Sequence, residues 1–203
     1  MVSGPSGVGK NTVLNALIAA NPQIRYSISA TTRPPRSGEA HGQHYFFLSE
    51  EEFASRVAAQ DFLEWADFCG HRYGTPRSFV EECLAAGRHV VLDIDVQGAL
   101  KVRQAMPEAV LVFMMPPSWE ELEARIRARG TDTEEKIRRR LETAHREILA
   151  VPSYDYVIWN EDVACSAQEL QAILTAERCR AKRLARHELD RFFAGNPDTL
   201  HNF

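Results

Sequence analysis

Residues 4–12 of this chain read GPSGVGKNT, that is Gly4, Pro5, Ser6, Gly7, Val8, Gly9, Lys10, Asn11 and Thr12. The spacing of glycine, four residues, glycine and lysine before a helical run is typical of a phosphate-binding loop. Glycines allow backbone N–H groups to turn toward phosphate oxygens, and the following helix adds the positive end of its dipole. Lys10 adds a mobile positive charge. The stretch therefore predicts a nucleotide-phosphate site, and a glycine-rich turn without a ligand is the alternative interpretation.

The last position of this loop departs from the usual pattern. A serine or threonine normally follows the lysine, and its hydroxyl holds magnesium. Asn11 occupies that position here. Its amide oxygen is a hard ligand on a longer arm, which can bind the ion at an altered distance or through water. Asn11 is therefore a candidate metal ligand.

Composition narrows the class of protein. The chain has 203 residues, enough for one α/β core with small insertions, and a formal net charge of -4, which does not favour nucleic acid as a partner. No apolar run approaches the roughly 20 residues of a membrane span. The loop follows Met1 almost at once, without a signal peptide, and the four cysteines show no metal-binding spacing. These features predict a cytoplasmic protein without a membrane partner, and they leave the oligomeric state open.

Buried strands predict the rest of the core. The run His89–Asp95 is nearly continuous in aliphatic residues and contains two carboxylates at its end, and similar runs lie at 109–115 and 156–159. Strands that alternate with helices predict a parallel α/β sheet, in which ligands bind at the carboxyl ends of the strands. Lys10, Asp93 and Asp95 should share one crevice. Only three residues precede the loop, so the first strand is either a short stub or begins upstream of Met1.

Cap residues predict several helix starts. A hydroxyl that accepts from the backbone of the first helical turn is the usual signal, strengthened by a glutamate three residues later or by a first-turn proline. The pairs that give this signal are Ser49 with Glu52, Thr75 with Pro76, and Ser166 with Glu169. The helix predicted to begin at Ser166 should be long and reach about Ala194.

Two segments lie outside the alternating pattern. Arg33 and Arg36 lie on a loop that two prolines keep from being helical, and arginines are frequent between Ser118 and Arg146. The first segment is a candidate substrate module and the second a candidate lid. Solvated arginines are the alternative in both places, and for Arg138 and Arg139 an exposed helix face is the preferred interpretation.

Seven motifs, in this order, resemble the guanylate kinase family over nearly the whole chain. They are the loop 4–12, TTRPPRSGE (31–39) with Tyr45, EW (64–65), HRYGT (71–75), LDIDVQG (92–98), RGTDTEE (129–135) and VIWNED (157–162).

The resemblance implies transfer of the γ-phosphate of ATP to GMP, and also to dGMP, with Mg²⁺ as the cofactor. It implies an α/β fold, with a P-loop nucleoside monophosphate kinase core, an inserted nucleotide-binding domain and a helical lid. The implied boundaries are core 1–30, GMP-binding domain 31–87, core 88–117, lid 118–146, and core with a long C-terminal helix 147–203.

The resemblance also assigns roles residue by residue. The clamp on the GMP phosphate falls on Arg33, Arg36, Tyr45 and Tyr73, and the guanine-reading positions fall on Ser29, Glu64, Thr75 and Asp95. ATP binding falls on the whole loop from Gly4 to Thr12 and on Asn160 near adenine. The catalytic set is Lys10, Arg33, Asp93, Arg125, Arg129 and Arg140, with Asp93 near the metal through water.

Elementary chemistry agrees with these roles. The guanidinium fork of arginine matches a phosphate dianion better than an ammonium does. Guanine presents two donors on its pairing edge, and an ionised carboxylate only accepts, so Glu64 and Asp95 would favour guanine over adenine. Two alternatives remain: a kinase for another nucleoside monophosphate, and a catalytically silent guanylate-kinase-like module that binds proteins. The second commonly lacks the lysine or the phosphate clamp, and this chain has both.

Overall fold

A parallel sheet forms the core of the computed structural model, which describes residues 1–68, 70–128 and 133–184. The strands are β1 (Val2–Ser3), β2 (Ile24–Tyr26), β3 (Ala30–Thr31), β4 (Phe46–Phe47), β5 (Phe62–Phe68), β6 (His71–Pro76), β7 (His89–Val91), β8 (Val112–Met115) and β9 (Tyr156–Trp159). The helices are α1 (Lys10–Ala20), α2 (Glu50–Ala58), α3 (Arg77–Ala85), α4 (Val96–Ala105), α5 (Trp119–Arg127), α6 (Glu134–Ile148) and α7 (Val163–Arg178).

The core sheet has the strand order β2, β7, β1, β8, β9. Its two groups, β2 with β7 and β1 with β8 and β9, are purely parallel. A bridge between Val2 and Asp93 joins them, and the Val2 N–H donates to the Leu92 carbonyl at 2.8 Å. The predicted parallel sheet is confirmed. The regular strand β7 ends at Val91, so Asp93 and Asp95 lie just beyond its carboxyl end, beside the loop that follows β1.

Helices cover both faces of this sheet. On one face, α1 and α7 bury Leu14, Leu17 and Leu170 against strand residues such as Met114 and Ile158. On the other face, α3 and α4 contribute to a second apolar cluster. Its buried members are Leu63, Val80, Leu92 and Val102. Burial of these aliphatic side chains is the main stabilising term for the core. It holds α1 rigidly behind the phosphate loop.

A second, mostly antiparallel sheet has the order β4, β3, β6, β5. The pairs β3–β6 and β5–β6 are antiparallel, and β3–β4 is parallel. Helix α2 covers this sheet with Phe53, which is fully buried and stacks on Phe62 with ring centroids 4.5 Å apart. The register places Glu64 opposite Thr75.

Helices α5 and α6 pack on each other through a small cluster of Leu122, Ile126, Ile137 and Ala144. Exposed arginines of α6 pair along the helix, Arg138 with Glu142 and Arg139 with Glu135. Exposed pairs of this kind contribute little to stability. The interpretation of Arg138 and Arg139 as a solvated helix face is confirmed.

The predicted cap at Ser49 is confirmed, and the one at Thr75 is wrong. The Ser49 hydroxyl accepts from the Glu52 N–H at 3.1 Å, and the Glu52 carboxylate accepts from the Ser49 N–H at 2.7 Å. Helix α3 begins at Arg77, with Pro76 as a cap that makes no side-chain bond. Thr75 belongs to β6, and its hydroxyl donates across the sheet to Glu64. The local sequence pattern predicts that this hydroxyl caps the helix, but it donates to Glu64 on the neighbouring strand instead.

The predicted start of the last helix is also wrong. Helix α7 begins at Val163, and the Asp162 side chain accepts from the Cys165 N–H at 2.9 Å. Ser166 therefore lies inside the first turn and is buried. The helix ends at Arg178, short of Ala194, and residues 185–203 lie outside the described part of the chain. No helix of the described residues is long and apolar enough to cross a membrane.

Candidate active site

The phosphate loop connects β1 to α1 and has the backbone that the glycine spacing predicts. Gly9 precedes the helix with φ of 99°, a left-handed conformation that L side chains rarely adopt. A Cβ at Gly4 would collide with the carbonyl oxygen of Met114. The Lys10 ammonium donates to the Gly4 carbonyl at 2.6 Å and lies 3.9 Å from the Asp93 carboxylate. The loop thus presents a lysine and a helix N-terminus at one point.

A buried hydrogen-bond chain supports the loop from behind. The Asn160 amide nitrogen donates to the Val8 carbonyl at 2.7 Å, and the Ser166 hydroxyl donates to the Asn160 amide oxygen at 3.0 Å. Arg125 also donates to the Val8 carbonyl, at 3.2 Å, while its Nε donates to Glu121 at 2.8 Å. Asn160 is only 4% exposed. Its amide therefore holds the loop, and Arg125 ties α5 to the same carbonyl.

Asp93 is half-buried and lies just beyond the carboxyl end of β7 in the core sheet. Burial raises the pKa of Asp93, and the Lys10 charge opposes this rise. The Tyr26 hydroxyl donates to the other carboxylate oxygen at 3.4 Å. Burial and the nearby Asp93 charge together raise the pKa of Tyr26, so this phenol stays protonated. Lys10, Asp93 and Tyr26 thus form one contiguous polar group.

The proline-rich loop holds its first arginine in a fixed orientation. Arg33 donates from one nitrogen to both oxygens of Glu39, at 2.8 and 2.9 Å, and lies over the Tyr45 ring at 5.4 Å. Glu39 also accepts from the Arg36 N–H at 2.7 Å, and these bonds hold the pKa of the Glu39 carboxyl below its usual range. The Tyr45 ring contacts the Tyr73 ring edge to face at 6.0 Å. Arg36 itself is exposed.

The small sheet and α4 bring two carboxylates together. The Thr75 hydroxyl donates to Glu64 Oε1 at 2.7 Å. Asp95 caps α4, and its Oδ1 accepts from the Gly98 N–H at 2.7 Å. A Cβ at Gly98 would lie 3.3 Å from both Glu64 Oε2 and Asp95 Oδ1, so the two carboxylates flank this glycine. Burial raises the pKa of Glu64, and Asp95 adds to that rise.

The other predicted site residues are distributed as follows. Ser29 precedes β3 and is half-buried, and its carbonyl accepts from the Phe46 N–H at 2.9 Å. Arg140 lies on α6 and is half-buried. Asn11 is the second residue of α1 and is exposed. Arg129 lies outside the described residues.

The structure adds residues that the sequence reasoning did not select. Glu39 holds the arginine loop together, Tyr26 reaches Asp93, Ser166 completes the support of Asn160, and Gly98 leaves room between two carboxylates. Glu39 lies six residues after Arg33 on a loop, and that spacing does not indicate from the sequence that the two side chains pair. The other three depend on tertiary contacts, which no short sequence pattern reports.

The site joins three chemical functions. The loop presents backbone N–H groups and the Lys10 ammonium, which suit a phosphate, Arg33 and Arg36 offer a second cationic position, and Glu64 with Asp95 offers acceptors for donor groups of a ligand. A cluster of three or more histidine, cysteine or acidic side chains that could hold a metal ion is absent from the described residues. The arrangement suits transfer of a phosphoryl group from one phosphate to another, because this reaction needs groups that bind and position the phosphates more than it needs a protein nucleophile.

Comparisons with known proteins agree with one another. The family model described as "Guanylate kinase" matches residues 1–177. A guanylate kinase of Desulfitobacterium hafniense is 50% identical over 183 residues, covering 90% of this chain and 92% of that protein. One from Halalkalibacterium halodurans is 48% identical over 184 residues, covering 91% and 90%. The crystal structure of guanylate kinase from Anaplasma phagocytophilum has a TM-score of 0.74 and 36% identity, covering 96% of this chain and 92% of that one.

Proposed function

Because the chain belongs to the guanylate kinase family, we propose in detail that it transfers the γ-phosphate of ATP to GMP, and also to dGMP, with Mg²⁺ as cofactor. The products are ADP and GDP or dGDP. The partners are these small nucleotides, and the compartment is the cytoplasm, where both substrates occur. The observation that carries the choice of GMP is the pair of carboxylates, Glu64 and Asp95, on either side of Gly98.

The acceptor binds between the small sheet and the core. Thr75 occupies one oxygen of Glu64, which leaves the other oxygen and Asp95 to accept from guanine N1–H and the N2 amine. Adenine would place its N1 acceptor against negative charge. Ser29 lies beside β3 as a further contact to the base. Residues 31–87 thus act as the GMP-binding domain.

The phosphate of GMP lies against the arginine loop. Arg33 and Arg36 neutralise the dianion, and the Tyr45 and Tyr73 hydroxyls donate to its oxygens. Arg33 is held by Glu39 and over the Tyr45 ring before the ligand arrives, so little conformational freedom remains to be lost on binding. This preorganisation favours transfer, which depends on positioning.

The donor ATP binds at the loop from Gly4 to Thr12. Backbone N–H groups of the loop and Lys10 hold the outer phosphates, and the buried Asn160 keeps the loop in shape on the adenine side. Lys10 and the lid arginines, Arg125, Arg129 and Arg140, stabilise the charge that develops on the transferred group. Residues 118–146 form the lid, whose closure excludes water that would otherwise hydrolyse ATP.

The residues present fit a magnesium ion. Asn11 follows Lys10 in the chain, and Asp93 lies 3.9 Å from the Lys10 ammonium, so both offer hard oxygen donors near this lysine. Magnesium needs few protein ligands when phosphates and water supply the rest. Asn11 would hold the ion through its amide oxygen and Asp93 through water. When bound, the ion neutralises negative charge between the phosphates.

Initial rates with four acceptors test this function. ATP and Mg²⁺ are held constant, and ADP release is followed with GMP, dGMP, AMP and UMP. GMP should give the highest kcat/KM, with dGMP as a second substrate. A preference for AMP over GMP would overturn the role of the carboxylates and favour a kinase for another nucleoside monophosphate. No turnover of any of the four would favour the silent binding module.

A further inference from the structure

Tyr26 contacts a residue of the reaction site without itself having a role in the function proposed above. Its hydroxyl donates to Asp93 Oδ2 at 3.4 Å. Within the described part of the chain, this is the only hydrogen bond that the Asp93 side chain accepts. The Lys10 ammonium faces the other oxygen, Oδ1, at 3.9 Å, which is beyond hydrogen-bond distance. The phenol is therefore the one directional contact on this carboxylate among the described residues.

The core sheet fixes how the phenol approaches Asp93. Tyr26 is the last residue of β2 and pairs with Val91 of β7, and the Ser27 N–H donates to the Val91 carbonyl at 2.8 Å. Asp93 lies two residues beyond Val91, and its bridge to Val2 continues the sheet to this point. Side chains two residues apart on an extended chain point to the same face. The backbone of two paired strands thus holds both the hydroxyl and the carboxylate.

An aspartate carboxylate has little rotational preference of its own, because its terminal torsion is broad. The Tyr26 hydroxyl limits this rotation by holding Oδ2 on the side of β2, which leaves Oδ1 on the side of Lys10. Tyr26 is 38% exposed, so water can replace a lost hydroxyl as a donor. Water is not attached to the sheet, however. Loss of the hydroxyl should therefore free the orientation of the carboxylate rather than leave an acceptor unsatisfied.

We propose that Tyr26 is a positioning residue, which holds the Asp93 carboxylate with one oxygen directed toward Lys10. The inference rests on the proposed function, which places Asp93 near Mg²⁺ through water. Groups that hydrogen-bond and orient a metal-binding side chain typically contribute roughly 10–100-fold to metal affinity or activity. The bond from Tyr26 is long, so its contribution should be at the lower end, about tenfold.

Tyr26→Phe tests the proposal, because it removes the hydroxyl and keeps the ring. The kcat with ATP and GMP should fall by about tenfold, while both KM values and Tm change little. The second measurement does not depend on turnover. Mn²⁺ is titrated into enzyme that is in excess over ATP, without GMP, and free Mn²⁺ is read from its electron paramagnetic resonance signal. The variant should bind Mn²⁺ about tenfold more weakly than the wild type.

Two further variants separate positioning from a structural bond. Tyr156→Phe removes another phenol–carboxylate bond, to Glu177 at 2.7 Å, and should leave kcat and Mn²⁺ affinity unchanged. In Asp93→Ala, the added change Tyr26→Phe should not weaken Mn²⁺ binding further, because Tyr26 acts through Asp93. A further loss in that background would overturn the proposal. A fall in Tm with a rise in both KM values, at unchanged kcat and Mn²⁺ affinity, would also overturn it.

The wild type separates this inference from the proposed function. If the wild type turns over GMP and Tyr26→Phe matches it in kcat and Mn²⁺ affinity, the positioning role alone is overturned. If the wild type does not turn over GMP, the proposed function fails and this inference fails with it.

Discussion

The buried amide of Asn160 offers a sharp test of how the phosphate loop is held. Replacement of Asn160 with alanine removes the donor to the Val8 carbonyl and the acceptor of the Ser166 hydroxyl. The Val8 carbonyl keeps the Arg125 guanidinium at 3.2 Å, so it loses one of two partners. Ser166 is 1% exposed, and among the described residues its hydroxyl has no hydrogen-bond partner other than Asn160.

The cost follows from these two changes. An orphaned buried hydroxyl costs about 1–3 kcal/mol, and the lost bond to a carbonyl that retains another donor costs about 1 kcal/mol. The free energy of unfolding should therefore fall by about 2–4 kcal/mol. For a chain of this size, this corresponds to a fall in Tm of roughly 4–16 °C. The loop should also lose its shape, so the KM for ATP should rise while the KM for GMP changes little.

A double-mutant cycle checks the origin of the effect. Unfolding of Asn160→Ala, Ser166→Ala and the double variant is measured by denaturant titration, and both KM values are measured by ADP release. Because the double variant has no orphaned hydroxyl, its loss should fall short of the sum of the single losses by about 1 kcal/mol or more. Additive losses, or a loss below about 0.5 kcal/mol for Asn160→Ala, would refute the reasoning, as would an unchanged KM for ATP.

Three further outcomes are expected. Gly9→Ala should abolish ATP-dependent turnover and lower Tm, because its φ is 99° and its Cβ would lie 2.7 Å from the Asn160 amide nitrogen; a fully active, equally stable variant would contradict the loop geometry. Asn11→Ser should lower the half-saturating magnesium concentration in a rate titration, and an unchanged value would show that Asn11 is an adequate ligand. Burial raises the pKa of Glu64, and guanine binding needs its ionised form. The KM for GMP should therefore rise as the pH falls, and this rise should begin above the ordinary glutamate pKa of about 4.3. A KM for GMP that stays constant down to a pH of about 4.3 would contradict this.

The parts of the fold that local spacing encodes could be predicted from the sequence. The phosphate loop needs only its glycines, its lysine and the helix after it, and the parallel sheet follows from aliphatic runs that alternate with helices. The cap at Ser49 depends on residues three apart, and it was predicted correctly. Each of these features is decided within a few residues.

The errors arise where tertiary pairing takes a side chain away from its local role. Thr75 has the pattern of a helix cap, but its strand register places it opposite Glu64, and the hydroxyl donates there. Ser166 also has that pattern, but Asp162 caps the helix, and the serine turns inward to Asn160. Such residues are found only when the fold brings them together.

The most direct test of guanine recognition is the acceptor preference of Glu64→Gln. Thr75 can still donate to the amide oxygen, which turns the amide N–H₂ toward the base, where guanine presents donors. Loss of a charge-assisted bond of about 1.5–3 kcal/mol should reduce kcat/KM for GMP by roughly 10–150-fold. The ratio of kcat/KM for GMP to that for AMP should fall with it, while the KM for ATP stays constant. An unchanged ratio in a folded variant would contradict recognition of guanine by these carboxylates.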